Sequence, residues 1–166
     1  MIKKSFLIVF IFLGLVLFSV FVYQKNFQPT ENFEMLIASN AYKSYKHAKV
    51  TIGGKIFDAY VSDTEKLREN GLSGFAGLKN NEVMLFVFPN ADIYGFWMKD
   101  MLFPIDILWI DDNFTVISTK KNIAPDTFPK IFFPKKPGKY VVEFTAGVLD
   151  TLGVINGDKV SIVGGK

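Results

Sequence analysis

The chain contains no cysteine and only one histidine, His47, in 166 residues. Without thiols the folded part cannot be braced by disulfides and no lipid-modified cysteine can hold it, so its stability must come from a hydrophobic core. A lone histidine that falls in what reads as a tether leaves Ser-His-Asp and Cys-His catalysis without a base in the domain. Zinc lacks its usual ligands. Asp111-Asp112-Asn113 offers oxygen atoms, but the calcium-loop spacing with a distant bidentate glutamate is missing and the tripeptide reads as a turn. Gly53-Gly54 and Gly164-Gly165 lack the surroundings of a phosphate-binding loop. Neither a metal nor a cofactor is expected. Charge of one sign is also scarce: setting aside Lys3 and Lys4 leaves 17 basic and 16 acidic residues, a net of +1, which gives no footing for a nucleic-acid partner.

What the chain has in quantity is apolar surface, 49% of its residues with 18 phenylalanines, a composition far from that of disordered segments. The length suits one domain plus an appendage. From Ser5 to Gln24 run twenty uncharged and nearly all apolar residues, about 30 Å of helix at ~1.5 Å per residue, enough to span a bilayer. The run closes with Phe18-Ser19-Val20-Phe21-Val22-Tyr23, without a small-x-small cleavage site, so an uncleaved signal anchor is favoured over a removed signal peptide. Lys3 and Lys4 precede it, which places the N-terminus in the cytoplasm and the domain on the extracytoplasmic side of a single-pass membrane protein. The expected organisation is an anchor at 1–24, a tether at 25–47 and a β-rich domain at 48–166.

Within the domain, Ala48 to Ile52 and Lys55 to Val61 are β-prone runs joined by Gly53-Gly54, a two-residue hairpin signal. Ser62 and Glu65 have capping-box spacing for a short helix to about Asn70, stopped by Gly71. Val83 to Phe88 is apolar at every position, as a central strand buried on both faces would be. Tyr94 to Lys99, Ile105 to Ile110 and Phe114 to Ser118 read as further strands of a meander. Residues 122–139 hold four prolines and read as a loop. Tyr140 to Thr145 resumes strand character, Ala146 to Leu152 suits a helical turn or two, and Asn156-Gly157 turns into Lys159 to Val163. The expected fold is α+β and β-rich: an antiparallel or mixed sheet curled toward a small barrel, with two short helices, preceded by the transmembrane helix.

Several short motifs stand in order along this domain: Ser62-x-x-Glu65 to Gly71-Leu72, Met84-Leu85-Phe86-x-Phe88, Phe96-Trp97-Met98-Lys99, Pro104-Ile105-Asp106, Val142-Glu143, Ala146-Gly147 and Gly157-Asp158. Together they closely resemble the family called domain of unknown function 192, over roughly residues 48–163. The resemblance implies a small β-rich domain, commonly exported or membrane-anchored, and brings no established activity. The chain departs from the family's pattern twice. It has Gly71-Leu72-Ser73-Gly74-Phe75 where Gly-Leu-Met before a basic residue is usual, and Asp100-Met101 where Asn-Thr is usual.

Strand alternation gives the central motifs physical content, because successive side chains point to opposite faces. Trp97 and Lys99 would share one face as a ligand platform, while Phe96 and Met98 take the other. Asp106 shares its face with Leu108 and Ile110, so its carboxylate must be paired or hydrogen-bonded; Lys99, Arg68 or backbone donors near Pro104 could serve. Glu143 lies on the face of Val141 and Thr145. Were Lys99, Asp106 and Glu143 to converge, they could bind a polar ligand or form an acid–base pair. Six lysines, Lys120, Lys121, Lys130, Lys135, Lys136 and Lys139, lie in and around the proline-rich loop among Phe128, Phe132 and Phe133. Lys130, Lys135 and Lys136 are the candidates for contact with anionic lipid or an envelope polymer. The favoured function is a binding or accessory module at the cell envelope rather than an enzyme. The alternatives are a small hydrolase or acid–base enzyme using Asp106, Glu143 and Lys99, and a structural partner of another envelope protein, which would carry an exposed apolar patch above ~400 Å².

Overall fold

The computed structural model describes residues 45–165. The expected anchor at 5–24 and the tether up to residue 44 lie outside the described residues, among which no helix is long and apolar enough to cross a membrane.

Gly53 and Gly54 take the positive φ values, 57° and 74°, that a tight hairpin turn requires, and they fold β1 (Lys46–Ile52) onto β2 (Lys55–Ser62). The first strand starts earlier than the sequence suggests. Lys46 and His47 pair with Val61 and Tyr60, and Tyr45 is buried, so His47 belongs to the sheet and not to a tether. The helix α1 (Glu65–Asn70) ends at Gly71 as expected, but its cap is Thr64, whose Oγ1 accepts a hydrogen bond from Leu67 N at 3.3 Å. Ser62 cannot cap it because it is still a strand residue, buried and paired with Phe86.

The α1 crossover sets β3 (Glu82–Asp92) parallel to β2, the one parallel pair in the sheet. β6 (Gly138–Thr145) then inserts antiparallel between β3 and β4 (Ile105–Ile110), with β5 (Val116–Ile123) hairpinned outside β4 and β7 (Ser161–Gly164) outside β1. The strand order is β5-β4-β6-β3-β2-β1-β7, which puts β3 in the centre, as its uninterrupted apolar run predicts. A second short helix, α2 (Val148–Thr151), follows β6. The result is a mixed, β-rich sheet of seven strands with two short helices. It is not closed into a barrel: an isolated bridge between Thr115 and Lys159 draws the segments beside β5 and β7 together, while the strands themselves remain the two edges.

The insertion of β6 also overturns one expected strand. Tyr94 to Lys99 cannot pair with β3 or β4, its neighbours in sequence, because β6 occupies the facing edges of both. The segment crosses the sheet's face instead and forms only an isolated bridge, Phe96 with Phe132. Both faces of the sheet are thereby covered. On one face Leu85, Leu108, Val142 and Phe144 pack with Leu149 of α2; on the other Met84, Phe86, Ile107, Trp109 and Val141 pack beneath Leu72, Phe75, Phe96 and Met98 from the connecting loops.

Asp106 is fully buried on the first of these faces, with Leu108 and Ile110, as alternation requires. Its partners are backbone donors, though not the expected ones near Pro104. Oδ1 accepts from Asn122 N at 2.8 Å and Oδ2 from Leu149 N at 2.9 Å, so one carboxylate fastens the irregular end of β5 and the first turn of α2 to β4. Neither Lys99 nor Arg68 takes part. Replacing Asp106 with Ala orphans the buried Leu149 N–H and leaves the part-buried Asn122 N–H to solvent, and is expected to lower unfolding stability by about 2 kcal/mol in urea titrations.

Candidate functional site

On β6 the alternation places Val142 and Phe144 in one core and Val141 and Glu143 in the other. Glu143 therefore enters the sheet's second face between Met84 of β3 and Ile107 of β4, its cross-strand neighbours. Neither can hydrogen-bond it through a side chain. The residue is 4% exposed, and its Oε2 has no hydrogen-bond partner among the described residues. Burial of an unpaired carboxylate raises its pKa from 4.5 to about 8, so the group holds its proton at neutral pH. Tyr45 lies near enough that its hydroxyl pKa is also pushed up, first by burial and then by the charge of Glu143.

Glu143 lines a cleft of about 310 Å³, at the lower end of the size range of small-molecule sites. Its walls are aromatic, with Phe86, Phe88, Tyr94, Phe96 and Trp97 contributing, and its rim is α1 with Glu65, Arg68 and Glu69. Phe88 and Tyr94 stack with centroids 3.5 Å apart, while Phe96 meets Phe86 edge-on at 4.9 Å. Arg68 is fixed in place: its Nη1 donates to Asp63 O at 2.7 Å and Val87 O at 2.9 Å, and its guanidinium lies 5.2 Å from the Phe88 ring centroid. Gly71 allows the close approach on this side, since a Cβ there would stand 3.3 Å from the Phe86 ring and its φ is positive.

Of the four residues singled out as a ligand site, the structure brings two to this cleft, Trp97 and Glu143. Trp97 is 48% exposed and turned outward relative to buried Phe96 and Met98, the alternation expected of it even without a regular strand. Lys99 is exposed on the same outer side but does not line the cleft. Asp106 points to the other face of the sheet: it is paired with Phe144 across the β4–β6 ladder, whereas Glu143 is paired with Ile107. The two carboxyls are separated by the sheet. The wall residues Phe88 and Tyr94 and the rim residues Glu65 and Glu69 were not among the residues singled out for a ligand. The dense aromatic spacing from Phe86 to Trp97 was the available signal. Elsewhere, Lys130, Lys135 and Lys136 are exposed, with Lys130 Nζ 5.1 Å from the Phe132 ring centroid and exposed Ile131 and Phe133 packed against Gly95.

Comparison with known proteins agrees with this architecture. The profile of the DUF192 family, described as "Uncharacterized ACR", matches residues 48–162. The chain belongs to that family. Similar family proteins include a UPF0127 protein of Pyrococcus furiosus, 30% identical over 102 residues that make up 57% of this chain and 82% of the relative. Another, from Thermococcus kodakarensis, is 36% identical over 107 residues, 58% of this chain and 62% of the relative. Among solved structures, a protein of unknown function from Novosphingobium aromaticivorans superposes with a TM-score of 0.64 at 26% identity, over 69% of this chain and 83% of that one. A candidate transcription regulator from Sinorhizobium meliloti 1021 gives 0.65 at 26% identity, over 72% and 95%. The segments 71–75 and 99–101 touch each other beside the cleft: Ser73 Oγ donates to Lys99 O at 2.8 Å and Gly74 N to Asp100 O at 2.9 Å.

The raised pKa of Glu143 has a definite sign in stability. Between 4.5 and about 8 the folded chain holds a proton that the unfolded chain has lost, so stability is greatest below 4.5 from this group and falls as pH rises to about 8, at up to about 1.4 kcal/mol per unit. Denaturant titrations across that range are expected to show this decline, and Glu143→Gln to flatten it.

Proposed function

We propose that this protein is a small-ligand binding module held at the cell envelope by its N-terminal apolar segment, with Glu143 and Trp97 as the residues that meet the ligand. The observation that carries the reading is the unpartnered, buried Oε2 of Glu143 in an aromatic-walled cleft. Buried polar atoms are almost always hydrogen-bonded, and one left open toward a concavity is a group waiting for a partner that the chain does not supply. The acid–base enzyme is disfavoured by the same geometry. Both oxygens of Asp106 are bonded to backbone N–H groups on the far face, and Lys99 stands outside the cleft, so Glu143 has no second proton-transfer group from that trio.

Envelope placement is supported by the run of twenty uncharged and mostly apolar residues behind Lys3 and Lys4, because a positive flank tends to stay in the cytoplasm. The exposed Lys130, Lys135 and Lys136, with exposed Ile131 and Phe133 between them in the chain, suit a seat on anionic lipid better than a dry protein interface, whose core is depleted of lysine.

Two measurements test these readings. In a thermal-shift screen of the full chain against amines, sugars, nucleotides and envelope fragments, a true ligand at a hundredfold excess over its Kd adds about 2.7 kcal/mol of stability. The gain should vanish in Glu143→Gln and shrink in Trp97→Ala; a flat response to every class would overturn the binding module. For the lipid seat, the absence of native cysteine allows a single environment-sensitive fluorophore on Phe133→Cys, with the full chain in nanodiscs. Its emission should shift to the blue when anionic lipid replaces neutral lipid. The shift should disappear in high salt and on changing Lys135 and Lys136 to Glu; identical spectra in both lipids would refute the seat.

A further inference from the structure

The cleft's own chemistry narrows the kind of ligand it fits. Three carboxyl groups line it, Glu143 at depth and Glu65 with Glu69 on the exposed rim, against one cation, Arg68. That cation is already engaged by the Asp63 and Val87 carbonyls and by the Phe88 ring. The rim carboxylates alone would signify only a solvated helix face. They gain meaning from Glu143, which is 4% exposed, opens on the same cleft and has an oxygen without a hydrogen-bond partner among the described residues. In the ionised form of the carboxyl, what that oxygen lacks is a donor. Aromatic rings provide negative π faces that attract cations, with Trp and Tyr among the stronger hosts, and Phe88, Tyr94 and Trp97 are the less buried rings of the wall.

We propose that the cleft is a site for a compact organic ammonium ion, whose N–H group donates to Glu143 Oε2 and whose hydrocarbon part lies against Phe88, Tyr94 and Trp97. The assignment rests on the binding-module reading above and adds the charge of the ligand to it. An anion would have to displace Arg68 from two carbonyls and approach three carboxyls. A neutral alcohol could satisfy the oxygen but would gain nothing from the rim.

The assignment also fixes a pH dependence. The uncomplexed Glu143 is protonated below about 8, and an ammonium ion binds its ionised form, so binding expels a proton. Apparent affinity is reduced by the fraction of protein in the competent state, which amounts to about tenfold for each unit below a pKa of about 8. The other titratable groups facing this space are Tyr45 before β1 and Glu65, Arg68 and Glu69 on α1, whereas Met84 and Ile107, opposite Glu143 on β3 and β4, carry no charge.

Three probes that share one ring and differ in charge test this: benzylammonium, benzyl alcohol and benzoate, titrated into the full chain by calorimetry at pH 6, 7 and 8. The expected result is that benzylammonium binds, tightens about tenfold per unit from pH 6 to 7 with proton release, and outcompetes the other two. Glu143→Gln should abolish the slope, with circular dichroism confirming the fold, while Glu65→Gln with Glu69→Gln should weaken binding and leave the slope intact. Benzyl alcohol binding equally well, or benzylammonium weakening as pH rises, would leave a binding cleft but overturn its preference for a cation. Preference for benzoate, or no binding by benzylammonium at any pH, would overturn it as well.

Discussion

The central strands are buried on both faces, and the rest of the structure depends on that constraint. A strand whose alternate side chains all enter dry cores has no wet side on which to place a polar residue. β4, β6 and the first half of β3 meet this condition almost throughout, with Ile105–Ile110 buried at every position. The covering layers follow from it. One face is closed by α2 and the chain leading to β7, the other by the loops around α1 and before β4, because either face left open would expose a continuous apolar surface. The segment from Tyr94 to Met101 is best understood in this way. It is rich in large apolar residues but serves as a lid over Phe86 and Trp109, with Phe96 edge-on to both rings.

Under this constraint the two buried carboxyls on adjacent central strands have opposite fates. Asp106 ends on the face where irregular backbone approaches, the last residues of β5 and the first turn of α2, and two N–H groups saturate it. The buried Leu149 N–H would itself be orphaned without it, so on that side the bond count closes for donor and acceptor alike. Glu143 ends on the face where regular strands flank it, and regular strands spend their N–H groups on one another. It has side chains of Met and Ile as neighbours and keeps its proton in preference to an unsolvated charge. Sheet position alone separates a structural aspartate from a chemically open glutamate one strand away.

The same distinction explains what was legible in the sequence. Period-two alternation identified the faces of Asp106 and Glu143 correctly, and the turn chemistry of Gly53-Gly54 and the stop at Gly71 followed from local φ requirements. The crossing order of strands was not local. Nothing between residues 94 and 145 says that β6 will insert between β3 and β4, and that single long-range choice converted an expected strand at Tyr94–Lys99 into a covering loop and put Phe88 and Tyr94 in contact. Lys99 drew attention through its apolar neighbours, yet its alternation with Phe96 and Met98 sends it to solvent. The partners of Asp106 were likewise out of reach of sequence, because Asn122 and Leu149 donate through backbone, which leaves no trace in residue type.

Arg68 is the remaining feature that could reverse the character of the cleft, and its bonding argues that it does not. A helix of six residues cannot sustain itself in water, and α1 buries no residue fully, with Leu67 only partly buried against the core of the second face. Its position comes from that contact, from the Thr64 cap and from Arg68, which bonds one carbonyl before α1 and one on β3. Those carbonyls are main-chain acceptors that would otherwise need water or another donor, so releasing the guanidinium to an incoming anion would cost two charge-assisted bonds and loosen the helix that carries Glu65 and Glu69. Arg68 therefore acts on the cleft as a fastener of its acidic rim. The one cation in the lining stabilises the arrangement that favours a cation from outside.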